Sequence, residues 1–106
     1  MVDWRRSTRV PLGQAVEFST RGDEVPIRMS GTARDISLGG TYIETELPCA
    51  PGEEIVVYVT LPRSRREMAL PATVRWTAKD GMGVQFGLLG ARETFEITQF
   101  VATACS

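Results

Sequence analysis

Apolar and polar positions alternate with a period of two along most of this chain, the spacing of strands that bury one face. Val16 and Phe18 alternate with Glu17 and Ser19, which predicts a strand over residues 14–19 entered from Val10-Pro11-Leu12. Arg21-Gly22-Asp23-Glu24 reads as a turn. Val25, Ile27 and Met29 then alternate with Pro26, Arg28 and Ser30, predicting a strand that runs on through a bulge at Gly31 to Ile36. Tyr42 and Glu44 alternate with Thr41, Ile43 and Thr45 in the next strand. Pro48-Cys49-Ala50-Pro51-Gly52 breaks the chain, and Ile55, Val57, Val59 and Leu61 mark one face of a further strand. A charged loop, residues 62–67, leads into the longest clean alternation: Met68, Leu70, Ala72, Val74 and Trp76. That pattern assigns all five, Trp76 included, to the core face. Lys79-Asp80-Gly81 is a tight hairpin signal, and Met82, Val84 and Phe86 return on the last strand.

The period changes in the tail. Ile97, Phe100, Val101 and Ala104 follow the i, i+3, i+4, i+7 spacing of one helical face, with Phe95 nearby, which predicts an amphipathic helix over residues 91–104. No Ser, Thr, Asp or Asn stands at its start, only Gly90. Six or seven short strands with close turns predict a mainly β domain, a small antiparallel barrel or sandwich, with the helix over one opening or edge. No internal repeat or second domain is visible. Residues 1–9 carry neither period and are expected to form a flexible arm ahead of a domain over residues 10–106.

Composition narrows the function. The chain has 106 residues and a net charge of −1, so no global field draws it to nucleic acid or to an anionic membrane. Interleaved surface aromatics on a basic face, which a small-barrel nucleic-acid binder needs, are missing, and neither DNA nor RNA is expected as a partner. Histidine is absent, which removes the commonest general base and metal ligand. Cys49 and Cys105 have no metal-ligand spacing, and two reduced cysteines fit a cytoplasmic protein. No apolar run approaches the ~20 residues of a membrane helix. Ser37 has no histidine to activate it, and the acids show no general acid–base pairing, so an enzyme is not expected. Eleven of the twelve basic residues are arginine, whose planar fork grips phosphate or a base edge in two places.

Two stretches depart from simple burial logic. Asp35-Ile36-Ser37-Leu38-Gly39-Gly40 joins two strands with an acid, a hydroxyl and two glycines. In extended chain Asp35 and Ser37 project to the same side. Gly39 and Gly40 permit positive φ or a close approach to the backbone. A turn in which Asp35 and Ser37 bond their own backbone explains the stretch equally well. The second stretch is Arg5-Arg6-Ser7-Thr8-Arg9. When extended, it holds Arg5 and Arg9 roughly 13 Å apart at about 3.3 Å per residue, able to bracket two phosphates or base edges. A solvated basic terminus is the plainer reading of the same residues.

Taken together the stretches read Arg-x-x-x-Arg followed by Asp-x-Ser-x-x-Gly, and in that combination the chain resembles the PilZ family of cyclic diguanylate (cyclic di-GMP) receptors. Arg5 and Arg9 match the first motif, and Asp35, Ser37 and Gly40 the second. Val74-Arg75-Trp76 and Gly81-Met82-Gly83-Val84-Gln85-Phe86 look like the family's closing hairpin. The resemblance implies a six-stranded antiparallel barrel with a C-terminal helix. It implies a ligand, cyclic di-GMP, held by Arg5, Arg9, Asp35, Ser37 and Gly40, with Arg6, Gly39 and Trp76 as further candidates and no cofactor or metal. It also implies a sensor whose arm folds over the nucleotide and whose bound state is read by a separate protein effector. A ligand-independent interaction adaptor on the same barrel is the alternative.

Overall fold

A computed structural model of the protein describes residues 8–22 and 24–105. Of the expected arm only Thr8 and Arg9 lie within this range; Trp4, Arg5 and Arg6 lie outside the described residues. The strands are β1 (Val10–Thr20), β2 (Met29–Ile36), β3 (Gly40–Glu44), β4 (Glu54–Val59), β5 (Met68–Ala78) and β6 (Gly81–Phe86), followed by one helix, α1 (Ala91–Cys105). Every strand pair is antiparallel, and the order β1-β2-β3-β6-β5-β4 closes through β4 onto β1. Closure leaves no free sheet edge and encloses an interior that side chains fill.

The alternation read from the sequence supplies that interior. Val16 and Phe18 from β1, Ile43 from β3, Ile55, Val57 and Val59 from β4, Leu70 and Val74 from β5, and Met82 and Val84 from β6 are buried. Ile97 and Val101 of α1 join the same core, with Phe100 packed against it. Phe95 stays exposed, as does Ala104, so the helix buries a narrower stripe than its apolar residues suggest.

Three departures from strict alternation shape the outer surface. β1 starts at Val10 rather than at residue 14, because Gly13, at φ 62°, absorbs a register shift between Pro11 and Gln14. A left-handed residue in a strand is the signature of a bulge, and glycine adopts it without a Cβ clash. The second shift lies between Ala33 and Asp35 in the β2–β3 pairing, not at Gly31 as the sequence suggests. The third lies between Val74 and Trp76 in the β5–β6 pairing.

The strand expected to begin at Val25 does not form. β2 starts at Met29, and Val25 and Ile27 are 78% and 74% exposed. Pro26 lacks the N–H that a ladder position needs. Arg28 instead crosses the barrel surface. Its guanidinium lies 3.6 Å from the centroid of the Tyr58 ring and donates to Glu17 at 3.3 Å and Glu67 at 3.0 Å.

Candidate functional site

The second and third bulges aim the site. Period-two counting from the buried Ala33 puts Asp35 on the core face, and counting from the buried Val74 puts Trp76 there. The register shifts reverse both. Ile36 turns inward in place of Asp35, and Trp76 is 51% exposed, which corrects its assignment to the core. Asp35 pairs with Tyr42, Tyr42 with Gly83, and Gly83 with Trp76, so the four residues form one row across β2, β3, β6 and β5.

Glycine makes that row work. A Cβ at position 83 would come within 2.2 Å of the Trp76 indole nitrogen, so the indole lies flat where a side chain would otherwise stand. Tyr42 stacks on Trp76 with ring centroids 5.3 Å apart and planes 23° from parallel. Its hydroxyl donates to Asp80 Oδ1 at 2.9 Å. Burial pushes the Tyr42 phenol above its ordinary pKa, and the Asp80 carboxylate adds to the shift. The result is a preformed aromatic shelf on the outside of the barrel.

Arg9 meets Asp35 at one end of the row. Its Nη1 donates to Asp35 Oδ1 at 2.8 Å, and the Tyr42 backbone N–H donates to the same oxygen at 3.2 Å. Asp35 Oδ2 has no partner among the described residues. Arg9 also stands between two shallow clefts. One, about 430 Å³, runs past Ser37, Gly39, Trp76 and Gln85 to Arg75. The other, about 400 Å³, is bounded by Pro11, Arg34, Asp35 and Tyr42.

Ser37 follows the reading of its stretch as a turn, and Gly40 serves close contact rather than positive φ. Ser37 lies beyond the end of β2 and is buried. Its N–H donates to the Gly40 carbonyl at 2.8 Å, and its Oγ accepts the N–H groups of Gly39 at 3.1 Å and Gly40 at 3.2 Å. The hydroxyl therefore ties the β2–β3 turn together. Neither Gly39 nor Gly40 has a positive φ. Gly40 is required by contact: a Cβ there would lie 2.1 Å from the Val84 carbonyl oxygen of β6. The close approach expected of a ligand is made by the barrel's own backbone.

The structure thus brings Arg9, Asp35, Ser37, Gly39 and Trp76 to one surface, with Gly40 packed beneath them. Two neighbours were missed in the sequence. Arg75 is exposed beside the larger cleft and donates through Nε to the neutral Gln85, and it makes no ion pair with a described residue. By contrast Arg34 is paired with Glu44 at 3.0 Å. Tyr42 was missed because its stacking partner is remote in sequence. Among the described residues no cluster of acids, cysteines or histidines could hold a metal, and no helix is long and apolar enough to cross a membrane.

With this barrel and this site in view, the family model described as PilZ domain matches residues 3–102. The chain belongs to the PilZ domain family. Solved structures share its fold. The PilZ domain of CeSA from a cellulose-synthesizing bacterium superposes with a TM-score of 0.72 at 17% identity, covering 93% of this chain and 99% of that one. The Borreliella burgdorferi PlzA protein, solved in complex with c-di-GMP, gives 0.67 at 10% identity over 89% of this chain and 39% of PlzA. The Bacillus subtilis inhibitor of motility MotI/DgrA gives 0.66 at 18% identity over 91% of this chain and 49% of that one. This PilZ domain spans less than half the length of the latter two proteins. No curated protein matches it.

Proposed function

We propose that this PilZ domain is a receptor for cyclic di-GMP rather than an enzyme, and that its bound state is read by a partner protein in the cytoplasm. The observation that carries the reading is the 2.8 Å contact between Arg9 and Asp35, which joins the two parts of the Arg-x-x-x-Arg and Asp-x-Ser-x-x-Gly signature at the junction of two clefts. The chemistry around that contact suits a cyclic dinucleotide. Asp35 Oδ2 can accept from the N1–H or amine of guanine. The exposed face of Trp76 can stack on a base. Arg75 and Arg9 can take phosphate oxygens or guanine O6 and N7. Arg5 and Arg6 complete the set when residues 1–9 close over the nucleotide, and Ser37, Gly39 and Gly40 hold the turn that presents Asp35. The complex of PlzA with c-di-GMP supports the ligand class by its shared fold.

A second reading is a ligand-independent adaptor. It is favoured by Ser37 and Gly40, whose identities the turn hydrogen bonds and the Val84 contact already explain. Isothermal titration with cyclic di-GMP separates the two. Saturable heat that falls at least ~10-fold in affinity on Arg9→Ala and on Asp35→Ala is expected for the receptor, since each removes a charge-assisted bond. Absence of heat in the unaltered protein rejects it in favour of the adaptor.

A further inference from the structure

A second concave surface lies apart from the nucleotide site. The chain between β4 and β5 faces α1 across a groove of about 440 Å³, walled by Leu61, Pro62, Phe95 and Phe100. Phe95 is 62% exposed. Arg63, Arg65 and Arg66 are exposed along the loop, and none makes an ion pair with a described residue. Two features here are costly for a surface with no occupant. Leu61-Pro62-Arg63-Ser64 closes a turn through a 2.9 Å bond from the Ser64 N–H to the Leu61 carbonyl, and it holds Arg63 at φ 72°, where glycine is favoured. Glu96 accepts from Ser64 through Oε1, while its buried Oε2 has no hydrogen-bond partner.

The chain also carries a segment with the opposite character. Asp23-Glu24-Val25-Pro26-Ile27 follows β1 and joins two acids to two β-branched apolar residues. Val25 and Ile27 are among the most exposed large hydrophobic residues, and neither lines the groove of its own chain. Arg28, clamped over Tyr58 and bonded to Glu17 and Glu67, anchors the base of this segment and presents it outward.

We propose that residues 24–27 of a second copy seat in this groove, with Val25 and Ile27 against Phe95 and Leu61 and with Glu24 facing Arg63, Arg65 and Arg66. The contact joins two different surfaces, so each copy offers one loop and one groove. A four-residue insert covers less than the about 800 Å² per partner of a standard interface, so association is weak and salt-sensitive.

Sedimentation velocity on nucleotide-free protein tests this from about 10 μM to about 1 mM, the range in which so small an interface becomes populated. The weight-average mass is expected to rise with concentration and to rise less at high salt. Val25→Ser with Ile27→Ser removes the loop, and Phe95→Ser removes the groove wall; all three positions are exposed, so circular dichroism should be unchanged. Each variant alone should stay monomeric, and an equimolar mixture of the two should form pairs that grow no further. An unaltered protein that remains monomeric, association that survives either variant, or a mixture that fails to associate overturns the proposal.

Discussion

The Trp76 indole lies over Gly83 so closely that a Cβ at position 83 would stand 2.2 Å from its Nε1. Gly83→Ala is therefore expected to lift the indole off the barrel and break its stack with Tyr42. Fluorescence in a Trp4→Phe background should show Trp76 emission shifting to longer wavelength, and cyclic di-GMP affinity should fall with it. Overpacking of this kind costs about 1–3 kcal/mol of stability, which denaturant unfolding would measure.

Arg9 and Asp35 should separate binding from stability. Their side chains are 49% and 34% exposed, and an ion pair so open to water is worth about 0–1 kcal/mol. Arg9→Ala is expected to leave the midpoint of urea unfolding almost unchanged while abolishing most nucleotide affinity. A large loss of stability would make the pair a structural brace instead.

Gly40 should behave in the opposite way. A Cβ at position 40 meets backbone at 2.1 Å, the Val84 carbonyl, which cannot step aside without opening the β3–β6 pairing. Gly40→Ala is expected to lower stability by at least ~3 kcal/mol, at the severe end of single substitutions. Lost nucleotide binding in that variant would then follow from a damaged barrel, which thermal unfolding without ligand would reveal.

Cys49 gives a pH prediction. Burial, reinforced by Glu53, pushes its thiol from 9.0 up to about 11. The folded protein therefore favours the protonated form. That contribution to stability is fully present below pH 9, the unfolded value, and is lost as pH rises through about 11. Iodoacetamide labelling, resolved by peptide mass spectrometry, should modify Cys49 slowly at pH 8–9 in the folded state and readily in urea.

Much of the barrel is legible in the amino-acid order because burial of one strand face leaves a period of two. Ile55, Val57 and Val59, or Leu70, Ala72 and Val74, have no other simple explanation, and all are buried. The loop at Val25 and Ile27 misled because alternation records apolarity and not pairing. Those residues alternate correctly but have Pro26 between them and no strand to join. Trp76 misled for a related reason: a bulge changes which face a side chain takes without changing the local pattern of residue types.

The amino-acid order alone encodes the strand and helix periods, the inward residues of regular segments, and the Arg-x-x-x-Arg and Asp-x-Ser-x-x-Gly motifs whose combination resembles the PilZ family. Local preference and hydrophobic burial act over a few residues, so they leave a readable trace. Only the tertiary structure decided that Asp35, Tyr42, Gly83 and Trp76 share one row, that Arg75 borders the same cleft, and that Gly40 is needed by Val84. Those relationships depend on which strands pair and where their registers slip, and such contacts are made between residues too far apart along the chain for any local pattern to encode.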